Sequence, residues 1–232
     1  MITSRIVVYA LLGGIAPALI WLAFWRNEDR KRPEPRFNIV RTFLLGALAV
    51  ILVIPLQRKV LTYYPGLGIM TFLLWALLEE AFKFAAAYIG GLASIDDDEP
   101  IDPLIYMITA ALGFTALENT LFIANPLLQQ DIAGTLVTGS LRFIGSSLLH
   151  TVSSGTIGLL LALSFYKRSW LRKLSGTVGF AFAVFFHTAF NLFILNQGSL
   201  STFLTFATVW AGIAVLLLAF EKVKTIHRTP LA

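Results

Sequence analysis

Residues 68–91 read Gly68-Ile-Met-Thr-Phe-Leu-Leu-Trp-Ala-Leu-Leu-Glu79-Glu80-Ala-Phe-Lys83-Phe-Ala-Ala-Ala-Tyr-Ile-Gly-Gly91. As a helix this stretch is about 36 Å long, enough to cross a bilayer core of about 30 Å. Its only formal charges, Glu79, Glu80 and Lys83, sit in the middle of the apolar run. Six other stretches are long and apolar enough to span: 5–25, 39–57, 104–124, 136–165, 174–195 and 202–221. The composition agrees. Of 232 residues, 57% are hydrophobic and 13% charged, against about 25% charged in a soluble domain. The mean hydropathy is +0.77. A soluble core and a disordered chain are both excluded, and the fold class expected is all-α: a polytopic membrane protein of about seven transmembrane helices. The chain holds no cysteine, so disulfides and thiolate chemistry are absent.

The basic residues orient the bundle. With the N-terminus outside and the C-terminus inside, segments 26–41, 92–103, 166–173 and 222–232 are cytoplasmic and carry 13 Lys/Arg, while the outer segments carry three. The first run, Ile6 to Trp25, is too long for a signal-peptide core and reads as a retained helix, with Gly13, Gly14 and Pro17 as a kink. The acidic run Asp96-Asp97-Asp98-Glu99 reads as a solvated cytoplasmic loop. The basic residues form no patch of the kind nucleic acid requires, and the expected location is the cell membrane, multi-pass. No internal repeat or domain-dividing linker is visible, so residues 1–232 read as a single domain. The small residues of the fifth span (Gly145, Ser146, Ser147, Ser153, Ser154, Gly155, Gly158) read as a close helix-packing face.

Spans 3 to 6 carry residues that a bilayer does not tolerate without purpose. These are Glu79, Glu80 and Lys83 on the third, Glu118 and Asn119 on the fourth, Arg142 and His150 on the fifth, and His187 and Asn191 on the sixth. A central charge costs at least about 2.5–3.5 kcal/mol on insertion scales. Five charges and two histidines on four adjacent helices are best accommodated around a shared wet cavity. Glu79 and Lys83 are four apart and positioned to pair, as are His187 and Asn191 to share a face. Glu80 lies about 100° around the helix from Glu79, so one carboxylate faces the cavity and the other makes a structural bond. Counting from the outer ends, Glu79 lies about 16 Å deep, His150 about 20 Å and His187 about 10 Å. A carboxylate and a histidine can hold and deprotonate water, and a histidine and an asparagine can donate to an oxyanion: a set sufficient for amide hydrolysis. Zinc held by Glu79, His150 and His187 is the alternative, although no H-E-x-x-H is present. A transporter with a buried Glu/His/Arg site and an inert scaffold are the competing classes.

The motifs resemble those of the PrsW family of intramembrane proteases, relatives of the CAAX prenyl endopeptidases and bacteriocin-processing enzymes. Glu79-Glu80-Ala-Phe-Lys83 is similar to the family's E-E-x-x-K, Glu118-Asn119 to its Glu-Asn motif, Arg142 with His150 to its third motif, and His187-x-x-x-Asn191 to its fourth. All four fall in order within 68–195. In CAAX-type relatives an arginine stands one residue beyond the position of Lys83, and a phenylalanine stands where this chain has Ser146. The resemblance implies a catalytic core on spans 3–6. In it Glu79, paired with Glu80, activates water, His150 positions that water, and His187 and Asn191 form the oxyanion site. Lys83, Glu118, Asn119 and Arg142 support them. No cofactor is required on this glutamate-type reading; a metalloprotease is the variant. The substrate implied is a single-pass membrane protein of the anti-sigma-factor kind.

Overall fold

A computed structural model describes residues 4–29, 32–195 and 199–226. Among these every regular element is a helix: α1 (Ser4–Glu28), α2 (Arg36–Tyr63), α3 (Ile69–Ala87), α4 (Asp102–Leu128), α5 (Ile132–Leu141), α6 (Ser147–Leu163), α7 (Ser169–Leu195) and α8 (Ser199–Val223). A π-helical turn, Tyr88–Leu92, extends α3, and another, Arg142–Ser146, joins α5 to α6 in one rod. Seven long rods result, at the seven positions expected. Six are long and apolar enough to cross a membrane by length and composition. The seventh, α3, carries Glu79, Glu80 and Lys83 within its 19 residues.

The bundle is organised around α4. Its residues Asp102 to Ala116 are buried without a break, because it is apolar on every side and neighbours close on it from all directions. Small residues permit the closeness. Gly46 of α2 abuts the Ala110 carbonyl, and Gly113 of α4 abuts that of Phe43, leaving no room for a Cβ in either place. On α1, Gly14 lies against Thr120 and Gly13 against Ile123. These glycines thus serve as a packing face, and α1 runs unbroken through them and Pro17. On α6, Gly158 meets Leu104 and Gly155 meets Leu216. The small residues of the fifth span therefore pack helices as expected, but Ser146 and Ser154 do more, as shown below.

One end of the bundle gathers the segments assigned to the cytoplasm. Arg32 pairs with Glu99, Arg172 with Asp97 at 2.7 Å, and Lys224 with Glu28 at 3.2 Å. Asn38 donates to Asp96 at 2.7 Å. The acidic loop is therefore not simply solvated: three of its four acids are tied to neighbouring elements, two by arginines that supply counter-charges and one by Asn38. Beneath it, Tyr106 donates to Glu34, whose carboxyl burial holds above the usual carboxylate range. Reporter fusions after residues 33, 170 and 228 are expected to read cytoplasmic, and one at 198 the opposite side. Any exchange among them overturns the orientation.

Candidate active site

The polar residues of α3, α4, α6 and α7 meet in the core. Successive turns of α3 place Glu79, Glu80 and Lys83 on its inner side, all buried. Glu80 and Lys83 are both 0% exposed, and the ammonium sits 2.7 Å from Glu80 Oε1 but 3.9 Å from Glu79 Oε2. The close ion pair is thus Lys83 with Glu80, three residues back, and not with Glu79, four back. The reason is tertiary: His150 Nδ1, 2.8 Å from Lys83 Nζ, and the Phe114 ring, centred 4.8 Å away, fix the ammonium on the Glu80 side. Glu80 is saturated, accepting also from Ser154 Oγ at 2.7 Å and facing His187 Nδ1 at 2.9 Å. It is the more fully engaged carboxylate of the pair.

Glu79 is held differently. Gln57 of α2 donates to its Oε1 at 2.8 Å. Its Oε2 is buried with no hydrogen-bond partner among the described residues, and His187 Nε2 stands 3.5 Å away. With Nδ1 against the Glu80 carboxylate, Nε2 is the ring nitrogen turned toward Glu79. An oxygen and a ring nitrogen at this distance leave a place beside them for a small proton-bearing species. Water suits the place, since it donates to both.

His150 is engaged on both sides. Lys83 donates to Nδ1, so the ring proton lies on Nε2, which faces Glu118 Oε2 at 3.2 Å. Its ring stands edge-on to His187 with centroids 4.9 Å apart. The two histidines therefore share a level, correcting the 10 Å difference in depth read from the span ends. The α5–α6 rod has 32 residues, so at about 48 Å it overshoots a core of about 30 Å and its end is a poor ruler. Glu118 also receives Arg142, whose Nη2 donates in addition to Ser146 Oγ at 3.0 Å and whose Nε donates to Asn119 Oδ1 at 2.5 Å. The guanidinium lies 3.9 Å from the centre of the Phe122 ring. Asn119 passes the network on to Ser147 at 3.2 Å. Arg142 opens the π-turn of the fifth rod. Such turns interrupt the α-helical hydrogen-bond ladder, and they recur at functional sites.

These groups border a cavity of about 420 Å³ lined by Glu79, Glu118, Arg142, Ser146, His150, His187 and Asn191, with Gln57 and Phe206 closing it from α2 and α8. The enclosure is wider than spans 3 to 6: the second and last rods contribute. Asn191 is half-buried, one turn beyond His187 on α7, and makes no hydrogen bond to a described residue. Gln57 was not visible as a site residue in the sequence. It is uncharged, and it lies at the outer edge of an otherwise apolar span. A larger groove of about 660 Å³ at the N-terminal end of α7 is lined by Phe84, Tyr88, Leu161 and Phe180 with Arg172 and Lys173, and holds no carboxylate or imidazole.

Glu79, His150 and His187 are the one triplet among the described residues whose ligand atoms lie within 4.8 Å of one another. To hold a cation with all three, His150 would have to give up a partner it has here. His150 has its Nδ1 lone pair on an ammonium and its N–H on Glu118, leaving no lone pair for a cation, and the Lys83 charge stands beside it.

The chain as a whole resembles known proteins. Residues 34–220 match the family described as PrsW family intramembrane metalloprotease. The chain belongs to the PrsW family. Protease PrsW of Oceanobacillus iheyensis is 27% identical over 84% of this chain and 87% of its own length. Protease PrsW of Shouchella clausii is 25% identical over 95% of this chain and 98% of its own. That of Bacillus subtilis is 30% identical over 47% of this chain and 51% of its own. No solved structure matches the chain. Membership in the PrsW family makes the protein an intramembrane protease and a multi-pass cell-membrane protein.

Water access to the PrsW-type cavity is open to test, because the chain has no native cysteine. Asn191→Cys and Ser146→Cys are expected to react with a small hydrophilic thiol reagent, while Leu48→Cys, on an exposed face of α2, is expected to be protected. Equal protection of all three means a dry core that cannot support hydrolysis.

Proposed function

We propose that the protein hydrolyses a peptide bond of a membrane-anchored protein, of the single-pass anti-sigma-factor kind, with water activated by Glu79 and without a metal ion. The observation that carries this reading is the unpartnered Glu79 Oε2 opposite His187 Nε2 at 3.5 Å, on the wall of a cavity that also presents Asn191. Water on the cavity side donates one proton toward each acceptor and turns its lone pairs to the substrate carbonyl. As the oxygen attacks, Glu79 takes the proton and the carbonyl oxygen becomes an oxyanion, to which the Asn191 amide donates. Protonated Glu79 then delivers its proton to the leaving amide nitrogen, the C–N bond breaks to give a carboxylic acid and an amine, and the acid's proton passes to the amine to leave a carboxylate and an ammonium group.

In this scheme the water-holding role passes from His150 to His187, the imidazole that adjoins Glu79. Glu80 fixes the His187 tautomer through Nδ1. His150, Lys83, Glu118, Asn119 and Arg142 form the charged frame that keeps the carboxylates in place.

Co-expression of wild type and Glu79→Gln with a library of tagged single-pass proteins, read by fragment mass, tests the activity and identifies the substrate. Fragments are expected with the wild type alone. Purified enzyme is expected to keep its rate through prolonged chelation. Loss of activity on chelation, with recovery on added zinc, overturns the metal-free mechanism and makes Glu79 and His187 ligands.

A further inference from the structure

We infer that Gln57 is a positioning residue for Glu79, holding one carboxylate oxygen so that the other stays aimed at His187 and out of reach of Lys83. The inference rests on Glu79 being the base proposed above.

The terminal torsion of a glutamate is broad and roughly two-fold, so packing alone leaves its carboxylate free to turn. Two groups compete for that of Glu79. On one side the Lys83 ammonium stands 3.9 Å from Oε2. On the other, the Gln57 amide donates to Oε1 at 2.8 Å. A carboxylate drawn fully onto Lys83 is neutralised as a base, because the ammonium would stabilise its charged form and occupy the lone pair that must take the proton. The amide of Gln57 has no charge, so it fixes the direction of Glu79 without that cost.

The donor is itself well anchored. Trp75, one turn before Glu79 on α3, donates Nε1 to the Gln57 backbone carbonyl at 3.2 Å. The two helices are thus joined twice at this level, once through the Gln57 backbone and once through its side chain. The backbone joint sets where α2 lies against α3, and the side-chain joint sets where the Glu79 carboxylate points. The two can be separated by mutation.

The test uses the full-length protein in detergent micelles and a hydrophobic carbodiimide, which adds to protonated carboxyl groups, with modification of Glu79 read by peptide mass. Gln57→Met keeps the length of the side chain and removes the donor; Gln57→Leu is the second variant should the first fail to fold. Glu79 modification at pH 7 is expected to fall about tenfold, because the released carboxylate turns onto the Lys83 ammonium, which keeps it ionised and unreactive. Trp75→Phe, which breaks the backbone joint alone, is expected to leave that reactivity within twofold of wild type. In cleavage assays Gln57→Met is expected to lower kcat tenfold or more with KM unchanged. Wild-type reactivity of Glu79 in a folded Gln57 variant, or no modification of the wild type itself, overturns the inference, as does a rise in KM with kcat unchanged. An active Glu79→Gln enzyme overturns the base assignment instead, and the carbodiimide result then still decides whether Gln57 holds Glu79.

Discussion

Glu79→Gln is expected to yield a folded, membrane-inserted protein with no detectable proteolysis. The substitution is isosteric, and the new amide still offers a carbonyl oxygen to Gln57 Nε2, which now stands 2.8 Å from Oε1. What is lost is the ability to take a proton from water, and general-base catalysis contributes about 10²–10⁴ in rate. The neighbouring carboxylate cannot substitute, since Glu80 is already engaged by Lys83, Ser154 and His187. Asn191→Ala is the graded companion. It removes one oxyanion donor and leaves the base intact, so the rate should fall by about 10²–10³ without vanishing. Equal residual activity in both variants would mean that Glu79 serves only to hold the cavity in shape.

Lys83→Met is expected to destabilise the bundle by about 3–5 kcal/mol, the usual consequence of removing one partner of a buried ion pair. Glu80, 0% exposed, then keeps two donors but no nearby fixed cation. Glu79 loses the ammonium 3.9 Å from its Oε2, and His150 loses the ammonium at Nδ1. Thermal unfolding in micelles measures the loss. Lys83→Met combined with Glu80→Gln should recover much of it, because the double variant buries no uncompensated charge on that side and the two positions share partners. A Lys83→Met protein as stable as wild type would show that water enters the core freely enough to solvate the carboxylates.

The sequence by itself determined the class of molecule and the cast of its site. Seven apolar runs of spanning length can only become helices in lipid, since each backbone amide must find its partner within its own segment. The lopsided Lys/Arg count then orients them. Charges and histidines in the middle of four consecutive runs mark a shared site, because each is too costly to be there singly. Which residue touches which was not legible. Helical spacing offered Lys83 to Glu79, yet the ammonium sits on Glu80, drawn by His150 from α6 and Phe114 from α4. The family resemblance implied His150 as the positioner of the water on Glu79, yet the imidazole beside Glu79 is that of His187. Gln57, uncharged and at the end of an apolar span, carried no signal at all until α2 was seen to lie against α3. In each case the deciding atoms come from a different helix. The mutual rotation of the helices is set by glycine contacts such as Gly46 with Ala110, whereas periodicity reports only the face a residue occupies on its own helix.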